Sequence, residues 1–154
     1  AANVVKKHAV FYRVEMSADM VVCLDSFLNE MKRLDNDEAI ETSFLIFPNA
    51  FEKFDEYLHL LSLAEELLKK KGYDGIYQVA SFHPKYHFAG EPATDAANYT
   101  NRSPYPMLHL LREESIEIAL EHYSGNADEI PDNNIRFARE KGTTYMKMFR
   151  DSCF

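Results

Sequence analysis

Proton transfer near neutral pH calls for a group that titrates there, and histidine is the side chain whose unperturbed pKa does so. Three of the six histidines, His83, His87 and His109, fall between Ser81 and Glu114, together with Arg102 and Arg112. His83 and His109 are candidate general acids or bases, and Glu113 follows His109 at a spacing of four. Arginine forks match phosphate and carboxylate groups, so Arg102 and Arg112 are candidate anion holders. Asn98, Tyr99, Thr100, Asn101, Ser103 and Tyr105 would add directional hydrogen bonds without charge. Each reading has an ordinary alternative. His83 could cap a strand end by bonding a backbone carbonyl, and His109 with Glu113 could be a simple i,i+4 pair. Asp95 reads better as a turn cap than as an orienting carboxylate. No HExxH-type doublet or nearby cysteine supports a metal, so neither metal nor cofactor is expected.

These residues need elements to position them. Lys7–Glu15 alternates β-branched and aromatic residues and predicts a first strand. Ser17 can cap a helix over about Ala18–Leu34, with Val21, Leu24, Phe27, Leu28, Met31 and Leu34 at helical spacing. Cys23 lies beside that stripe and reads as a small buried residue. Thr42–Phe47 is a short apolar run, the mark of a strand covered on both faces. Asn49 and Glu52 form a capping-box pattern before a helix over Ala50–Lys71, which Gly72 ends. Gly75–Phe82 predicts the third strand.

Beyond it the spacing predicts an irregular segment and a helix from about Ser103 to Tyr123, with Pro104 at its first position. On that helix Tyr105, His109, Arg112 and Glu113 share one flank. A turn at Ser124-Gly125-Asn126, a shorter helix from Pro131 to Gly142 and an amphipathic end from Thr144 complete the chain. The fold class is a single α/β domain spanning 1–154. It has a small, mostly parallel three-stranded sheet, crossover helices, and two or three C-terminal helices. Ligands on such sheets sit beyond the carboxyl ends of the strands, where His83 leaves the third strand.

Composition narrows the function. A net charge of −8 argues against nucleic acid, whose phosphates require a basic face. The cations Lys69, Lys70 and Lys71 end a predicted helix, where they complement its dipole. No apolar run reaches 18 residues, so no membrane span is expected. The first residues lack the pattern of a signal peptide, and the two cysteines, Cys23 and Cys153, suggest no disulfide framework. A cytoplasmic location is expected. Oligomeric state is not readable.

The segments FHPKYHFAG and NYTNRSPYPMLHLLREES together resemble the signature of an uncharacterised bacterial family, the domain of unknown function 1415. The resemblance extends over nearly the whole chain, including TSFLIFP and the helix before GYDGIYQVASFHP. It takes in Phe82, His83, Pro84, Tyr86, Phe88, Ala89 and Gly90, then Asn98 to Pro106, His109, Arg112 and Glu113. His87 falls at a variable position of the pattern. The resemblance implies a bacterial cytoplasmic protein and brings no established activity. Family members begin with a helix ending in a Leu-Cys-Pro-Phe-type segment. If that cysteine belongs to the site, this chain is without part of its chemistry.

Two functions from different classes follow. One is an enzyme acting on a small anionic metabolite, phosphorylated or carboxylate, through histidine acid–base chemistry. The alternative is a non-catalytic ligand-binding or regulatory module using the same Asn-, Arg- and His-rich loop.

Overall fold

Alternating β-branched and aromatic residues extend the chain over Val10–Val14, strand β1. A computed structural model describes residues 9–123, 125–126 and 129–153. The expected start of β1 at Lys7 lies outside the described residues. Helix α1 follows at Met20–Asn36, capped by Asp19 rather than Ser17: its carboxylate accepts from Val21 N at 2.9 Å and Val22 N at 3.1 Å. Cys23, Phe27, Met31 and Leu34 are buried on this helix. Burial pushes the Cys23 thiol up to about 11, in keeping with a packing role.

Strand β2, Thr42–Ile46, runs parallel to β1. Helix α2 spans Phe54–Lys70 and starts later than expected. Phe51 holds a positive φ of 59°, so the chain cannot enter a helix at Ala50, and the capping box of Asn49 and Glu52 does not form. Gly72 ends α2 as expected, with φ of 80° and a backbone bond from its N–H to Lys69 O. Strand β3 is Tyr77–Phe82.

The main correction concerns residues 103–112. The predicted helix is absent there. Met107–Arg112 forms a fourth strand, β4, and only Glu113–Glu121 is helical, α3. Pro104 and Pro106 push the residues before them, Ser103 and Tyr105, towards extended backbone. The chain therefore arrives at Met107 already extended, and β4 enters the sheet between β2 and β3. The order is β1-β2-β4-β3, with β4 antiparallel to both neighbours. The sheet is thus four-stranded and mixed, not three-stranded and mostly parallel. Helix α4, Ile130–Asp151, is broken at Gly142 (φ 78°), where the sequence places a helix end.

Strand pairing divides the sheet into two faces. Phe11, Ser43, Leu45, Leu108, Leu110 and Val79 face α1 and α2, where the core of Phe27, Met31, Tyr57 and Leu60 sits. Within it the buried Glu30 carboxylate accepts from Ser43 Oγ at 2.7 Å. The other face carries Tyr12, Phe44, His109 and Ala80 in one row across the four strands. Thr42 is the only residue of that face that is buried. The expectation that Thr42–Phe47 is covered on both faces therefore holds for one face alone.

Alternation along β4 makes a direct prediction. Leu110→Ala removes core contacts and should cost about 2–5 kcal/mol, whereas Leu111→Ala, on the uncovered face, should cost clearly less. Urea unfolding measures both, and equal losses would contradict the strand.

Candidate functional site

An irregular segment has no ladder to satisfy its backbone, so its polar side chains are drawn into that work. His83 shows this first. It is fully buried, and its Nδ1 accepts from Lys85 N at 3.0 Å. That fixes the proton on Nε2, which donates to Phe51 O at 2.8 Å and so holds the turn where φ is positive. Burial lowers its pKa. Asn98, also fully buried, accepts from Phe88 N at 2.9 Å and donates to Pro92 O at 3.0 Å. Asn101 Nδ2 donates to Ser81 O, the Thr100 hydroxyl is shared between Ala97 O and Asn101 Oδ1, and Ser103 Oγ donates to Tyr105 O. Asp95 caps the short 3-10 helix Ala96–Thr100 through Ala97 N, the turn-cap role expected of it.

The arginines are engaged in the same way. Arg102 donates to Tyr86 O at 2.9 Å and Ala93 O at 2.7 Å, and its guanidinium lies 4.7 Å from the Tyr99 ring centre. Arg150 of α4 lies 5.7 Å from the same ring, so Tyr99 joins the segment to α4. Arg112 points into the helix-covered side and donates to Leu34 O, Asp37 O and Ile40 O, closing the end of α1. Both forks hold backbone carbonyls.

The expected single cleft is not what the structure brings together. His83 contacts Phe54 and Tyr57 on the helix-covered side, with ring centres 5.2 and 5.0 Å apart, while His109 sits on the opposite face. Arg112 pairs with Tyr77 at the start of β3, the end remote from His83. His109 and Glu113 are no longer one helical turn apart. Four residues of extended chain separate them by roughly 13 Å. A groove of about 250 Å³ does lie at the strand ends, between Pro48–Glu52, Pro84–Lys85 and Pro104–Pro106. Among the candidate residues only Tyr105 lines it.

His109 is differently placed. Its ring stacks on Phe44 at 3.8 Å between centres, Phe44 stacks on Tyr12 at 5.6 Å, and Phe82 lies 6.1 Å away. Thr42 Oγ1 donates its one proton to Leu110 O at 2.6 Å, so the 2.6 Å contact with His109 Nε2 requires that nitrogen to carry the proton. Nδ1 is left as an acceptor, without a partner among the described residues. The half-buried ring is desolvated by its neighbours, which lowers its pKa to about 4 and favours the neutral form. Directly across on β3 stands Ala80, flanked on the same face by Gln78 and Phe82. Thr42, Phe44, Gln78 and Ala80 escaped the sequence reading; the apolar run TSFLIF has no polar alternation to reveal two different faces.

The pH dependence follows from the sign of the shift. The folded pKa of His109 lies below the ordinary 6.5, so its contribution is present in full above about 6.5 and is lost as pH falls towards 4. The loss is on the order of 3 kcal/mol. His109→Phe should remove that slope, measured as the difference in unfolding free energy between the two proteins across this range. Parallel pH profiles would contradict it.

No helix among the described residues is long and apolar enough to cross a membrane. No curated protein and no solved structure matches the chain. A family model does match, over residues 1–148, nearly the whole chain and with it β1 to β4, the Asn98 loop and His109. On that match the chain belongs to the family described as a protein of unknown function, DUF1415.

Proposed function

We propose that this protein binds a small planar molecule bearing an N–H or O–H donor on the uncovered sheet face, with His109 Nδ1 as its acceptor. One observation carries the reading: the bond to Thr42 fixes the imidazole as the Nε2–H tautomer and leaves Nδ1 an acceptor without a partner among the described residues, on a ring stacked against Phe44. Apolar walls with a few placed polar groups are the ordinary make-up of a ligand site. The ligand is small and largely neutral in this reading, because Arg102 and Arg112 are engaged with carbonyls. A stacking platform also suits single-stranded nucleic acid. Against that, the twelve paired positions of this face contain no Lys or Arg, and the chain is acidic. We set the protein in a bacterial cytoplasm, the setting that the family resemblance implies.

An acid–base enzyme is the second reading, favoured by Thr42, which orients His109 as a catalytic base would be oriented. The pKa decides between the two. A value lowered to about 4 by burial favours the neutral ring, an acceptor at neutral pH, and makes a weak base. Binding is the stronger reading.

Indole and N-methylindole separate the outcomes, since they differ in the donor alone. Indole should shift the amide resonances of Phe44, Ala80 and His109 and bind several-fold more tightly than N-methylindole, a preference that His109→Phe abolishes. Equal binding of the two probes, or shifts confined to the strand-end groove, would overturn the reading.

A further inference from the structure

The two helices that follow the sheet leave most of their apolar residues uncovered. Helix α3 buries none of its residues, and Ile118 and Leu120 are exposed. At about 100° per residue, Ile116, Ala119 and Leu120 share one side of α3, and Ile118 lies across the helix from them. Beside that side run Glu113, Glu117 and Glu121, which with Glu114 give α3 four anions and no cation. Helix α4 buries only Ala138. Its exposed residues include Phe137, Tyr145, Met148 and Phe149, the last two 64% and 65% exposed. In an acidic chain this helix is net basic, with five cations against three anions.

The pairing of those charges is informative. Arg139 is held by Asp95 and Glu91, and Lys147 and Arg150 by Asp151. Lys141 has no carboxylate partner among the described residues. Its ammonium lies 5.5 Å from the Phe137 ring centre and 5.5 Å from that of Tyr145, in the middle of the exposed aromatic side. Glu117 and Glu121 are likewise without a cation beside the exposed apolar side of α3. An acidic amphipathic helix and a basic one, each with open apolar residues, therefore stand on the same chain.

From this complementarity we infer that the protein self-associates as a two-fold dimer in which α4 of one copy packs on α3 of a second copy, and the reverse. Lys141 then meets Glu117 and Glu121 of the other copy across the apolar seam. A two-fold arrangement satisfies both helices of both copies at once, so the contact closes and does not propagate. Opposite charges across the seam set its register and disfavour other partners. The inference is independent of the ligand reading, because the sheet face around His109 takes no part in the seam.

Sedimentation of the full chain from low to high micromolar concentration tests it. The expected result is a monomer–dimer equilibrium. Lys141→Glu should weaken it about tenfold or more, as should Glu117→Lys with Glu121→Lys. Combining the three substitutions should restore association to within a few-fold of the original. Phe149→Asp should abolish the dimer while circular dichroism stays unchanged and Tm matches that of the original protein at concentrations where both are monomeric, since its side chain is exposed in the single chain. A monomer at all concentrations, a dimer indifferent to Lys141→Glu, or failed restoration by the charge swap would overturn the inference.

Discussion

The rest of the structure depends on one constraint, the insertion of β4 between two strands that run opposite to it. A central strand is hydrogen-bonded on both edges, so its register cannot slip without turning every side chain to the other face. In β4 the even-numbered residues Leu108, Leu110 and Arg112 turn to the helices. The odd-numbered Met107, His109 and Leu111 turn away. Tyr57 fastens the arrangement from α2. Its hydroxyl donates to Met107 O and accepts from Phe82 N, which links the start of β4 to the end of β3. The same two-residue alternation makes Arg112 a brace for α1 and leaves His109 on the uncovered face.

Polar residues in the segment between β3 and β4 serve a related need. With a single short 3-10 helix and no ladder, this segment relies on side chains for its internal bonding. Asn98, buried with both ends of its amide bonded, holds the Phe88 and Pro92 backbone groups that no strand partner reaches. Arg102 does the same for Tyr86 and Ala93. Charged donors to carbonyls are among the stronger protein hydrogen bonds, about 1.5–3 kcal/mol each. Strength of that kind accounts for an ordered segment between the strands.

Much of the architecture was legible in the sequence. The β-branched runs of β1 and β2 and the apolar spacing of Phe27, Met31 and Leu34 correctly marked elements and core. Gly72 and Gly142 marked helix ends through the positive φ that glycine tolerates. Met107–Arg112 was not legible as a strand. MLHLLR has no polar alternation, and six apolar-rich residues leading into the helix of Glu113 satisfy the helical period as well as the extended one. The decisive local signal was Pro104 and Pro106 at alternate positions, each restricting its predecessor to extended backbone. For the site the difficulty was of another kind. Asn, Arg and His in an irregular segment have the same composition whether they hold a ligand or hold the backbone. Only their partners distinguish the two, and in this fold the partners of His83, Asn98, Arg102 and Arg112 are mainly backbone groups. His109 was recognised as a candidate, but its neighbours Phe44, Gln78 and Ala80 come from strands far apart in the chain.

The account rests on His109 as a neutral imidazole with its proton on Nε2 and with Nδ1 unpartnered among the described residues. Imidazole ¹⁵N chemical shifts, read through long-range couplings to the ring carbon-bound protons, report tautomer and charge directly. The account predicts a protonated Nε2 and an unprotonated Nδ1 at neutral pH, with no protonation of the ring until the pH approaches 4. A ring that carries its proton on Nδ1, or that titrates near 6.5, would contradict it.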